Sequence, residues 1–203
     1  MGVPPLTKRR NMQINKIIIA SIFMSCLLFF MAMTAQSNQI YLIRGVKFSE
    51  LTPPAQKQVQ CLAENIIFEA GHESREGQIA VGMVTINRVV SGRYADDICG
   101  VVKQKTHHPS GKIVCQFSWV CETFFTSKLL TIKHTSLYND VLDLSIDIFL
   151  NYDRLIDVTK GATYYHADYV NPGWKLPKTT VIGRHIFYKK PGDLDNKKEF
   201  SGI

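Results

Sequence analysis

The chain has 203 residues, 45% of them hydrophobic by type, with 24 lysines and arginines against 17 acidic residues and a formal net charge of +7. That length fits one modest globular domain once an apolar N-terminal run is set aside, and no internal repeat is present. The positive balance suits anionic polymers or membrane surfaces, but much of it lies at the two ends and no familiar nucleic-acid module appears, which argues against nucleic acid as a partner.

From Ile17 to Ala35 the sequence IIIASIFMSCLLFFMAMTA carries no charge, and Lys8, Arg9, Arg10 and Lys16 precede it. An uncharged run behind basic residues has the form of a signal peptide, or of a membrane anchor whose basic end stays in the cytoplasm. Ala32, Thr34 and Ala35 make a poor cleavage site, with Met33 where a second small residue is wanted. Cleavage therefore stays open, and Met12 is an alternative initiator. The expected division is residues 1–36 as signal peptide or anchor, 37–55 as a surface linker, 56–190 as the globular domain and 191–203 as a charged, solvated tail. Export to the periplasm or cell envelope follows, with membrane contact through residues 17–35 if the N-terminus is retained. Oligomeric state is left open.

Export places the cysteines in an oxidising compartment. Apart from Cys26, four remain, Cys61, Cys99, Cys115 and Cys121, an even number compatible with two disulfides. Cys115 and Cys121 enclose a short loop and can pair locally, leaving Cys61 with Cys99, but spacing alone does not choose among the complete pairings. A structural zinc site is disfavoured because the usual close C-x-x-C pair is missing.

Pro53 and Pro54 follow a short apolar patch, so the linker is expected to cross the domain surface before a helix begins near Ala55. In CLAENIIFEAGHESREGQIAV the helical period gathers Val59, Leu62 and Ile66 on one stripe, and Glu69 returns to nearly the same direction. A core-facing carboxylate must be paired or shifted toward its protonated form, and the protonated form can act as a general acid. An inward-facing salt-bridge or N-cap glutamate is the plainer alternative. Gly71 is expected to end the helix in left-handed geometry, which sets Glu69 in the last turn, where the helix dipole also disfavours negative charge.

Ser74 can cap a second helix, with Glu76 in its first turn and Ile79, Met83, Ile86 and Val90 on one stripe. Ala80, Gly82 and Val84 make a compact surface that other elements can approach closely. Asn87 flanks the stripe and is expected to satisfy backbone groups of an adjoining loop. Gly92 ends this helix and leaves RYADDICGVVKQKTHHPSGKIVCQFSWVCE as a long irregular segment. Structureless excursions of that length are uncommon, and a binding wall explains one. Gln116, Ser118 and Trp119 offer amide, hydroxyl and aromatic surfaces beside Phe117, a mixture that can hold sugar hydroxyls and cover a ring face, although Trp119 reads equally as core packing.

Farther on, SLYNDVLDLSIDIFLN reads as an amphipathic helix with Leu137, Val141, Leu144 and Ile148 inward. GATYYHADYV and TTVIGRHIFYKK read as two short strands, rich in β-branched and aromatic residues. Tyr165 and His166 are candidate substrate contacts there, and His185 a structural support. From Lys189 onward the chain is charged and poor in apolar residues, hence the solvated tail.

Five segments in order, AENIIFEAGHESREGQIAVGMVTINRV, ICGVVKQ, CQFSWVCE, GATYYHADYV and IGRHIFY, together resemble the SleB/CwlJ-type cell wall hydrolase family. One departure is local: Gly71-His72 precedes Glu73 where the family pattern has Arg-Gly. The resemblance implies an α+β, lysozyme-like, mostly helical catalytic domain with a small antiparallel sheet, acting on the glycan strands of peptidoglycan. It places the catalytic glutamate at Glu69, where the helical period had also pointed. Cleavage between N-acetylmuramic acid and N-acetylglucosamine is expected, preferably of the lytic transglycosylase type that similar enzymes can use, and Glu73 and Glu76, close by in the chain, are candidates for shaping the site or for a second carboxylate. The alternatives are a hydrolytic muramidase, a cell wall amidase, or a membrane-tethered peptidoglycan-binding protein without turnover. HESRE lacks the second histidine of H-E-x-x-H, with Glu76 in its place, so no metal and no cofactor is expected.

Overall fold

The computed structural model describes residues 45–195 and 197–200, together with Met24. The chain divides into two units, Met1–Tyr41 and Leu42–Ile203. The expected signal peptide or anchor at 17–35 lies outside the described residues apart from Met24. Among the described residues no helix is long and apolar enough to cross a membrane.

The second unit is helical at its centre. Helix α1 (Pro53–Ala70) starts earlier than Ala55, because proline suits a first helical turn and Thr52 caps it by accepting from the Ala55 N–H at 3.4 Å. Val59, Leu62 and Ile66 are fully buried. Helix α1 ends at Gly71 as expected, but Gly71 is right-handed (φ −59°, ψ −27°), not left-handed. What requires glycine there is crowding, since a Cβ would collide with the Ile67 carbonyl oxygen.

Helix α2 (Arg75–Ser91) is capped by Ser74, which accepts from the Gly77 N–H, and closes at left-handed Gly92. At Gly82 an added Cβ would lie 2.8 Å from Ile148 and 3.1 Å from Ile66, so α2 is approached here by α1 and by α5 (Ser136–Asn151). Val141, Leu144 and Ile148 of α5 are fully buried.

The segment after Gly92 is not irregular. Asp97 caps a short helix α3 (Ile98–Lys103), accepting from the Gly100 N–H at 2.6 Å. Strands β1 (Lys105–His107) and β2 (Ile113–Cys115) form an antiparallel hairpin, a 3-10 turn spans Ser118–Cys121, and helix α4 (Thr123–Ile132) follows. Such elements are too short for a periodic pattern to accumulate. Disulfide Cys61–Cys99 joins α1 to α3, and Cys115–Cys121 joins β2 to the 3-10 turn.

The two expected strands are three: β3 (Tyr164–Ala167), β4 (Lys178–Ile182) and β5 (His185–Tyr188), antiparallel in the order β3-β5-β4. Gly183 and Arg184 turn the chain between β4 and β5. One face of the sheet meets α2, where Ala80 and Val84 pack with Ala162, Ile182 and Phe187.

Pro191, Asp195, Lys197, Lys198 and Glu199 of the expected solvated tail are exposed, but the segment is anchored at a few points. Asp193 is 1% exposed, accepts from the Thr163 hydroxyl and pairs with Arg93 at 3.3 Å. The Lys198 N–H donates to the Val90 carbonyl at 2.8 Å, and Phe200 packs on Phe149 and Tyr152. A few anchoring side chains suffice to hold a charged segment down, which average composition does not reveal.

Candidate active site

The last turn of α1 carries Glu69 to the sheet. Its Oε2 accepts a hydrogen bond from the Tyr165 hydroxyl at 2.9 Å. Tyr165 reaches it because side chains alternate along β3, so that Tyr165 and its register partner Phe187 point toward the helices. The Tyr165 ring packs against His185 at 5.2 Å and Phe187 at 5.6 Å between centroids. Burial pushes the Glu69 carboxyl above its ordinary range, while the Tyr165 hydrogen bond and the Arg88 charge pull it down less strongly. Burial first, then the neighbouring Glu69, holds Tyr165 well above the usual phenol range, so it stays a donor. With Oε2 engaged by Tyr165, the acid proton falls to Oε1.

Arg88 is a residue that the sequence reading passed over. It is 4% exposed; its Nε donates to the Thr163 carbonyl at 2.7 Å, and its guanidinium lies 4.9 Å from the Phe117 ring and 5.4 Å from the Tyr94 ring. Nη1 is buried with no hydrogen-bond partner among the described residues. The helical period hides it: Arg88 lies on the side of the helix opposite the expected stripe of Ile79, Met83, Ile86 and Val90, but α2 is buried on every side from Ala80 to Ser91. A buried cation acting on a half-buried, largely desolvated carboxyl keeps the carboxylate form within reach after proton donation.

Glu73 lies in the turn between α1 and α2 and is half-buried. Its Oε2 accepts from the Arg184 N–H at 3.3 Å, at the turn between β4 and β5. Gly183 there has φ +55°, and a Cβ on it would collide with Glu73 Oε2. The carboxylate therefore clasps the hairpin turn to the helix junction. Glu76, in the first turn of α2, is exposed.

Asn87 secures the loop that delivers β3. Its Nδ2 donates to the Ala162 carbonyl at 3.0 Å and to Asp157 at 2.9 Å, and its Oδ1 accepts from the Tyr152 hydroxyl at 2.7 Å. His185 is 7% exposed and burial lowers its pKa, so it packs beneath Tyr165 as a neutral ring. His166 lies on the opposite face of β3 from Tyr165, with Nδ1 2.8 Å from the Ala167 carbonyl and Nε2 3.0 Å from the Tyr188 hydroxyl. Nδ1 therefore donates to the carbonyl and Nε2 accepts from Tyr188. The structure does not bring His166 to Glu69.

Trp119 is a core residue, not an open platform. It is 8% exposed, its Nε1–H donates to Asn65 Oδ1 at 3.0 Å, and its ring lies 4.7 Å from Phe68. Asn65 offers the interior acceptor that lets an indole be buried. Gln116 is half-buried beside β2, with its N–H on the Gln104 carbonyl at 2.9 Å, and Ser118 is exposed at the start of the 3-10 turn. No group of three or more metal-ligating side chains gathers among the described residues.

The family model described as Cell Wall Hydrolase matches residues 72–188. The match begins just after Glu69, whose place in the site rests on the contacts above. A spore cortex-lytic enzyme of Oceanobacillus iheyensis is 25% identical over 138 residues, 66% of this chain and 42% of that protein, so the chain spans about two fifths of that relative. Among solved structures, the catalytic domain of the Bacillus cereus SleB protein aligns at 22% identity with a TM-score of 0.46, covering 75% of this chain and 99% of that one. The catalytic domain of the germination-specific lytic transglycosylase SleB from Bacillus anthracis aligns at 23% identity with a TM-score of 0.44, covering 66% and 95%.

Proposed function

Since the chain belongs to the cell wall hydrolase family, we propose that this enzyme cleaves peptidoglycan glycan strands between N-acetylmuramic acid and N-acetylglucosamine, with Glu69 as general acid and then base. Protonated Glu69 gives its Oε1 proton to the glycosidic oxygen, and the bond from that oxygen to the muramyl anomeric carbon breaks. Positive character builds on the muramyl ring as the leaving sugar departs with the proton. The Glu69 carboxylate, steadied by the Tyr165 hydroxyl and Arg88, then removes the proton from the muramyl 6-hydroxyl. That oxygen closes on the anomeric carbon and forms a 1,6-anhydro end. No water is consumed and Glu69 recovers its proton.

The observation that carries this reading is the Tyr165 hydrogen bond to a Glu69 carboxyl that burial pushes toward its acid form. One such group suffices for intramolecular attack, whereas hydrolysis asks for a second carboxylate or a positioned water across the ring. Glu73 is engaged by the Arg184 N–H and Glu76 is exposed, which favours intramolecular closure. The domain would act outside the cytoplasm, with residues 17–35 as its export signal or tether.

Mass spectrometry of products released from purified peptidoglycan tests this, with E69Q as the matched control. Anhydromuramyl products are expected, with a rate loss of about 10²–10⁴-fold in E69Q. Reducing-end muropeptides would replace the proposed closure by hydrolysis. Released stem peptides, or no cleavage by folded protein, would put the amidase or the binding protein in its place.

A further inference from the structure

The face of the β3-β5-β4 sheet turned away from Glu69 is aromatic where a solvent-facing sheet ordinarily alternates to polar residues. Alternation puts Tyr164 and His166 of β3 on that face, and the register pairs Tyr164 with Tyr188 of β5. The chain between β3 and β4 lays Trp174 over them, with ring centroids 5.6 Å from Tyr164, 5.6 Å from His166 and 5.9 Å from Tyr188. Those contacts do not bury it: Trp174 stays 42% exposed. His166 and Tyr188 stack 5.2 Å apart at 22°, and Trp174 stands at 74° and 90° to them. A floor and an upright wall thus meet in an aromatic corner.

Polar edges and charge identify the occupant. The Tyr188 hydroxyl donates to His166 Nε2, which leaves its own lone pairs to accept from a sugar hydroxyl. Residues 161–190 hold five lysines and arginines and a single acid, Asp168, which Arg184 already pairs at 3.4 Å. Lys175, next to Trp174, and Lys178, opposite Tyr188 in the register, are exposed. Ring faces for the C–H side of a pyranose, acceptors at its rim and exposed cations around it fit a glycan that bears carboxylates. A lipid interface also recruits tryptophan and lysine, so the favoured occupant is the glycan because the rings form a hydrogen-bonded corner, and vesicles serve as the competing arm of the test.

We propose that this outer sheet face is a second, non-catalytic glycan-binding surface, which holds a carboxylate-bearing amino-sugar strand by stacking a sugar ring against Trp174 in the corner made with His166 and Tyr188. It rests on the glycan reading of the catalytic site, and extends it by giving the same polymer a hold outside the cleft.

The test uses the full chain as E69Q, so that binding is read without turnover, with W174A and W174F added to it. Thermal midpoints confirm that each is folded. Co-sedimentation with purified peptidoglycan is expected to weaken about tenfold in E69Q/W174A and to be largely kept in E69Q/W174F, the scale of one lost aromatic contact. The chain has two tryptophans and Trp119 is buried, so acrylamide quenching reports Trp174, which soluble uncrosslinked glycan strands should protect. Removing Lys175 and Lys178 together should flatten the salt dependence of binding. Parent-like retention by E69Q/W174A with unprotected Trp174 would overturn the proposal, as would retention on phosphatidylglycerol vesicles without retention on glycan. Glycan cleavage is scored separately in the chain with Glu69 intact, so Trp174-dependent binding without cleavage would sink the catalytic reading and leave this surface standing.

Discussion

At the scale of single residues the site is a balance of opposing terms around one carboxyl. Burial of Glu69 favours the neutral acid, while the Tyr165 hydroxyl and the Arg88 charge favour the carboxylate, and burial is the larger. The acid form therefore persists to higher pH than in an ordinary glutamate, and activity that needs the acid falls as pH rises through that raised pKa. Y165F removes a group that favours the carboxylate. Its expected effect is to move the alkaline limb of kcat/KM to still higher pH, at a stability cost of about 1 kcal/mol. A pH-rate profile whose alkaline limb stays put or moves down would contradict this account of Tyr165.

At the scale of elements the junction of α1 and α2 and the β4–β5 turn act as one unit. Glu73 joins them, and Gly183 lets the turn come close enough to be joined. G183A asks a residue with a Cβ to adopt φ +55° and pushes that Cβ into the Glu73 carboxylate. The left-handed geometry alone should cost about 1–2 kcal/mol, and displacement of Glu73 should add to it. In an E73A background the second part disappears, so denaturant titration of the four-member cycle should give a coupling above about 0.5 kcal/mol. Strictly additive losses would mean that the turn and the junction are independent.

At the scale of the whole molecule, covalent and terminal ties hold the helical body around the site. Cys61–Cys99 closes a separation of 38 residues and Cys115–Cys121 one of 6. In the chain-entropy account the first stabilises by about 4 kcal/mol and the second by about 2 kcal/mol. The paired substitution C61A/C99A should therefore lower the thermal midpoint clearly more than C115A/C121A, and an equal or inverted ranking would count against that origin. The C-terminal segment adds a second tie: Asp193 bonds the Thr163 hydroxyl, while the Thr163 carbonyl accepts from Arg88. The far end of the chain thus supports the cation beside Glu69.

Wherever a hydrophobic period had room to accumulate, the amino-acid sequence determined the outcome. Val59, Leu62 and Ile66 define the face of α1 and carry Glu69 round with it, and the same period sets α5, whereas α2 is buried on every side from Ala80 to Ser91. Capping chemistry at Ser74 and Gly92 was equally local, because a side chain and the helix end it serves are neighbours in the chain. Tertiary structure alone decided what lies between distant segments. That Tyr165 rather than His166 meets Glu69 depends on which face of β3 turns inward, and a one-residue slip of register would exchange them. Trp119 went to the core because Asn65 of another helix offers an acceptor there. The Cys61–Cys99 bridge, the anchoring of the tail by Asp193 and Phe200, and the clasp of Glu73 on Gly183 likewise rest on contacts that local patterning does not encode, since each joins residues that only packing brings together.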